Sequence, residues 1–112
     1  MSVMNTFSGK KFDPMHMNSE DVSLEDLAHA LSLLCRGGGH LKYFYSVGQH
    51  SINCMKEARA RGWSKRIQLV CLLHDASEAY IADIIRPVKV HLSEYYKIES
   101  KIMDCILEKF GL

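Results

Sequence analysis

Apolar residues recur at helical spacing from Leu24 onward, at Leu24, Leu27, Ala28, Leu31 and Leu34, which puts them on one face of a helix. Ser23 precedes this run and Asp26 follows three residues on, a pairing that resembles an N-terminal cap. The run Gly37-Gly38-Gly39 is expected to end the helix. A second start falls at Ser46, where Gln49 completes a Ser-x-x-Gln capping box, and a stop falls at Gly62, so a second helix is expected over about Val47 to Arg61. Ser64 caps a third, whose stretch from Ile67 to Leu73 is apolar nearly all round and so is expected inside the domain. Pro87 forbids a continuous helix through the Arg86-Pro87 turn. A last helix carries Tyr95, Ile98, Ile102, Ile106 and Phe110 on one side, with Gly111 at its end. Before Ser23 the pattern is mixed and polar, broken by Gly9, Asp13 and Pro14, and reads as a loop or a short hairpin.

The chain has 112 residues, 47% hydrophobic and 24% charged, which suits a single domain spanning residues 1–112. Its formal charge of +1 comes from scattered basic residues that form no stripe, so a nucleic-acid duplex is not an expected partner. Cys35, Cys54, Cys71 and Cys105 form no Cys-x-x-Cys pair, and no stretch reads as a secretory or membrane-spanning segment. Reduced cysteines in a cytoplasmic protein with no membrane partner are the expectation.

Candidate chemistry begins with His74-Asp75, placed directly after an apolar stretch in which only Gln68 is polar. An unpaired buried carboxylate costs several kcal/mol, so Asp75 calls for a cation, a strong set of hydrogen bonds or a metal. Imidazole and carboxylate together suit manganese, cobalt, zinc or magnesium; a structural His-Asp ion pair is the alternative. His50 stands at the shoulder of an apolar stripe made by Val47, Cys54 and Ala58, which points it inward as either a core histidine or a ligand. Glu78 falls four residues after His74 and Asp83 five further on. These are either ordinary surface acids or groups that move protons to and from a metal-activated water.

The order His50, then His74-Asp75, then Ala76-Ser77-Glu78-Ala79-Tyr80 and Asp83-Ile84-Ile85-Arg86-Pro87-Val88-Lys89 resembles the HD superfamily of metal-dependent phosphohydrolases, and most of all its 5′-deoxynucleotidase-like branch. The stretch from Tyr45 to Ser51 is similar to the segment that brings in that branch's first metal histidine, and Cys35-Arg36 to its phosphate-contacting arginine. The similarity runs from about Phe7 to Leu112. It implies an all-α, HD-domain-like helical bundle holding one divalent metal ion through His50, His74 and Asp75. Glu78 and Asp83 would be catalytic and Arg36 would hold phosphate, with Lys89 a second residue able to approach it. The implied substrate is a nucleoside monophosphate or similar small phosphate ester, and a homodimer is compatible with the resemblance.

Members of the superfamily add a second aspartate from a later helix, and this chain ends at Leu112. A C-terminally truncated domain is therefore expected, with Asp104, 29 residues after Asp75, as the alternative fourth ligand. The run Arg36-Gly37-Gly38-Gly39-His40 lacks the Gly-Lys-Ser/Thr ending of a phosphate loop and reads as an interhelical turn. The bunched Tyr43, Phe44 and Tyr45 have no basic surround and read as core or interface. Two other function classes stay open: a degenerate module that binds a nucleotide or a protein without turnover, and a helical domain whose histidines bind nothing.

Overall fold

A computed structural model describes residues 2–112. At the N-terminus Gly9, with φ of 92°, lets the chain reverse between β1 (Met4–Asn5) and β2 (Lys11–Phe12), which pair antiparallel with Met4 opposite Phe12. Two single 3-10 turns, Pro14–His16 and Ser19–Asp21, are each opened by an Asx cap, from Asp13 and Asn18. The expected hairpin is present, and all remaining regular structure is helical.

Helix α1 (Leu24–Leu33) begins where Ser23 Oγ accepts from the Asp26 amide. The Asp26 carboxylate does not close a capping box. It is buried and instead accepts from the Ser8 amide at 2.7 Å and the Ser8 hydroxyl at 2.8 Å, fastening the hairpin to α1. The helix ends at Leu33, ahead of the glycines expected to stop it. The reason is a short antiparallel contact of Cys35 with Ser46: the Leu34 carbonyl accepts from the Val47 amide at 2.8 Å, and the Arg36 amide donates to the Tyr45 carbonyl at 2.9 Å. Sheet-like partners thus take the groups that another helical turn would have used.

Helix α2 (Val47–Ala60) starts at the Ser46 cap as expected, although the Gln49 side chain turns to Asn53. It crosses α1 closely at Gly48, where an added Cβ would lie 3.3 Å from the Leu31 carbonyl carbon and oxygen. Helix α3 (Lys65–Leu73) has the expected Ser64 cap and packs along α2. Its apolar stretch is not interior: no α3 residue is fully buried, and Ile67, Leu69 and Val70 are 46%, 45% and 39% exposed. Among the described residues α2 is its main neighbour, so one side of a helix that is apolar all round stays uncovered.

The chain leaves α3 through a tight turn at 74–77 and resumes in α4 (Glu78–Ile81). Glu78 is thereby placed by a new short helix and not by a continued α3 face. Helix α5 (Arg86–Lys89) carries Pro87 in its first turn, where the missing N–H costs nothing. Helix α6 (Ser93–Lys109) sends Ile102 and Ile106 into the core against Leu27, Leu31, Val47, Ala76 and Val22, with Phe12 set edge-on to Tyr80 at 5.7 Å. No described helix is long and apolar enough to cross a membrane.

Candidate metal centre

Two histidines and an aspartate converge where α2 meets the end of α3. His50 sits in the first turns of α2, and His74 follows the last residue of α3. His50 Nε2 lies 3.5 Å and His74 Nε2 3.1 Å from the same oxygen, Asp75 Oδ2, and the imidazole centroids are 5.3 Å apart. The group is half-buried: the His74 side chain is 39% exposed and that of Asp75 27%, in line with the uncovered side of α3.

His74 Nδ1 lies 2.6 Å from the Cys71 carbonyl oxygen. A carbonyl only accepts, so Nδ1 carries a proton and donates it, which leaves Nε2 as the coordinating nitrogen of the neutral ring. Its hydrogen bond to Asp75 raises the His74 pKa. Burial, and then the Arg36 charge, push His50 down toward the neutral form that binds metal. Burial works against the Asp75 carboxylate, but the His74 hydrogen bond and charge hold it below its usual range.

Glu78 is 8% exposed and stands beside the Asp75 and Asp83 carboxylates. Burial first, then the Asp75 and Asp83 charges, push its carboxyl up to about 9. Three carboxyl groups stand beside two imidazoles, and burial with like charge keeps the Glu78 proton in place. That chemistry fits a divalent ion.

Asp75, Glu78 and Asp83 open into a polar cavity of about 420 Å³ that Arg36 and Lys89 also line. His50 and His74 stand behind Asp75 and outside this wall. The cavity thus gathers five of the seven residues singled out from the sequence. Lys89 is committed to Glu99 at 3.0 Å and lies over the Tyr95 and Tyr96 rings. Arg36 makes no ion pair among the described residues. Asp104 is exposed on α6 and takes no part in the donor cluster. A larger cleft of about 570 Å³ between the hairpin, α1 and α4 is lined mainly by apolar residues such as Met4, Phe7 and Leu33.

Sequence reasoning missed three participants. Arg86 and Tyr96 line the polar cavity, and Arg86 was visible as the residue before Pro87. Cys54, read as part of an apolar stripe, lies with His50 and His74 in a group whose donor atoms are all within 4.8 Å of one another; its spacing of one helical turn from His50 was the available signal.

No protein-family model matches the chain. It is similar to the uncharacterized protein YfdR of Escherichia coli strain K12, with 42% identity over 112 residues, covering 100% of this chain and 60% of YfdR. It is also similar to an uncharacterized protein of Rhodobacter capsulatus, with 34% identity over 111 residues, covering 94% of this chain and 56% of that protein. The chain therefore spans less than two thirds of the length of these curated relatives.

Proposed function

We propose that this chain is the catalytic part of an HD-type, metal-dependent phosphohydrolase that releases phosphate from a nucleoside 5′-monophosphate or a similar small phosphate ester. One observation carries the assignment: His50, His74 and Asp75 converge at 3.1–3.5 Å behind a polar cavity that holds both Arg36 and a buried Glu78. A volume of about 420 Å³ falls in the range of small-molecule sites.

When bound by His50, His74 and Asp75, a divalent ion of the manganese, cobalt, magnesium or zinc kind supplies Lewis-acid activation of water and phosphoryl oxygen. Arg36 offers its guanidinium fork to two phosphate oxygens. Glu78 holds a proton at neutral pH, since its pKa is about 9, and from that state it protonates the departing ester oxygen. Asp83, on the same cavity wall, adds a negative charge that favours the protonated form of Glu78. Lys89 reaches phosphate by exchanging Glu99 for it; until then the Glu99 pair holds it at the cavity wall.

The test is phosphate release from a panel of nucleoside 5′-monophosphates with manganese, cobalt and magnesium, alongside metal analysis of Asp75→Ala. Turnover by the parent and loss of metal from Asp75→Ala are expected. No release by metal-loaded protein, together with retained nucleotide binding in calorimetry, would leave the second reading, a binding module without turnover. The engagement of Lys89 by Glu99 favours that reading, because it removes one cation from the phosphate site.

A further inference from the structure

Helix α5 is a single turn, closed where the Lys89 and Val90 amides donate to the Ile85 and Arg86 carbonyl oxygens at 2.9 and 3.1 Å. Arg86 and Lys89 stand three residues apart on it and so share a face, and both line the polar cavity. The two cations differ in what they are free to do. Lys89 is held by Glu99 at 3.0 Å, over the Tyr95 and Tyr96 rings. Arg86 is exposed and forms no ion pair among the described residues, not even with Asp83 one turn before it. Arg36 reaches the same cavity from the neck between α1 and α2 and is likewise unpaired. Two uncommitted guanidiniums, carried by separate elements, therefore border one small space. Of the carboxyl groups around them, Asp75 is engaged by His50 and His74, and Glu78 is held in its uncharged form by burial. Asp83 alone is left to oppose two positive charges, so the cavity is suited to an anion.

We propose that Arg86 is a second phosphate-binding residue, and that with Arg36 it selects a phosphate monoester over a diester. This rests on the reading of the cavity as a phosphate-ester site. A guanidinium fork takes two oxygens of a phosphate at once. A monoester presents three terminal oxygens and, at neutral pH, close to two negative charges. A diester presents two such oxygens and one charge, which one fork satisfies. The second guanidinium is therefore a gain for the monoester and nearly idle for the diester. Arg86 also needs no exchange of partners to reach phosphate, whereas Lys89 must leave Glu99.

Calorimetry on the manganese-loaded chain, with methylphosphonate and dimethyl phosphate as probes, reads binding without turnover. Methylphosphonate has the three terminal oxygens of a monoester and a carbon–phosphorus bond in place of the ester bond; dimethyl phosphate stands for the diester. The parent is expected to bind methylphosphonate the more tightly. Arg86→Ala should weaken methylphosphonate by a factor on the order of 10, leave dimethyl phosphate little changed and keep its metal. Arg86→Lys, which retains the charge and loses the fork, should fall between the two. Unchanged methylphosphonate affinity in Arg86→Ala, or equal losses for the two probes, would overturn the role of Arg86, and phosphate release by the parent would then still uphold the proposed activity. Binding that depends on Arg86, with no phosphate release by the parent, would uphold the role of Arg86 and overturn turnover. A parent that binds neither probe would overturn both.

Discussion

The Tyr95 hydroxyl donates to the Ala82 carbonyl oxygen at 2.9 Å, tying α6 to a backbone position that an alanine rarely adopts. Ala82 has φ of 65° and ψ of 175° and is the one non-glycine residue with positive φ among those described. Such a conformation costs on the order of 1–3 kcal/mol and persists only where its surroundings enforce it. It directly precedes Asp83, so the strain sets the direction in which that carboxylate enters the cavity.

Ala82→Gly is therefore expected to raise unfolding stability by about 1 kcal/mol while loosening Asp83. Tyr95→Phe should lower it by about 0.5–1.5 kcal/mol through the lost hydrogen bond. Urea unfolding of the two variants and the parent checks both. A glycine variant less stable than the parent would mean that the alanine conformation carries no strain.

Glu78→Gln should keep bound metal and lower turnover by a factor on the order of 10² to 10⁴. It also has a pH signature in the metal-free protein. The folded Glu78 carboxyl holds its proton up to about 9, against an ordinary value of 4.5, so its contribution to stability is complete below 4.5 and is lost as pH rises toward 9. At pH 8 the glutamine variant should therefore be the more stable of the two, by on the order of a few kcal/mol, with the gap closing near pH 4. Melting curves at the two pH values decide it, and a pH-independent difference would speak against a protonated Glu78.

Asp26 runs in the opposite direction. Burial opposes its ionisation, but hydrogen bonds from Thr6 and Ser8 prevail and hold its pKa below 3.8. The stability it lends is present above that value and is lost as pH falls through the lower folded pKa. Asp26→Asn should cost on the order of 1.5–3 kcal/mol at pH 7 and progressively less as pH falls through the lowered folded pKa. Hydrogen exchange at the Ser8 amide reports the clamp itself, and unchanged protection in the variant would show that the hairpin is held by other contacts.

Gly48→Ala places a Cβ 3.3 Å from the Leu31 backbone, which cannot rotate away as a side chain can. Helix α2 must then move off α1, at a cost of about 1–3 kcal/mol, carrying His50 with it two residues on. Metal affinity should fall along with stability. Calorimetry at a temperature where the variant is fully folded separates the two effects, and unaltered affinity would mean that α2 shifts without disturbing its histidine.

The starts of α1, α2 and α3 were legible because Ser23, Ser46 and Ser64 each act through a local contact three residues on. Pro87 likewise marked its turn through its own ring. Features that depend on distant partners were not legible. The early end of α1 needs Tyr45 and Val47, the position of Asp26 needs Ser8, and the exposure of Ile67, Leu69 and Val70 depends on what else packs beside α3. At the site, His50, His74 and Asp75 could be picked out by type and order. Cys54 could not, because a thiol on an apolar stripe looks like any small core residue until the rings beside it are placed.

The pairing of Cys35 with Ser46 pinches the chain at its neck, with Arg36 on one side and the start of the His50 helix on the other. Between them Arg36–Gly39 forms a 3-10 turn whose Gly37 lines the cavity, and the exposed stretch that follows carries Tyr43 and Phe44 into solvent. Loop length adds little to closure cost once the neck is formed. That makes the exposed Leu41–Phe44 stretch the natural place to graft a fluorophore, an affinity handle or a protease site, since a reporter set there would sit near the arginine without disturbing the backbone bonds that hold it.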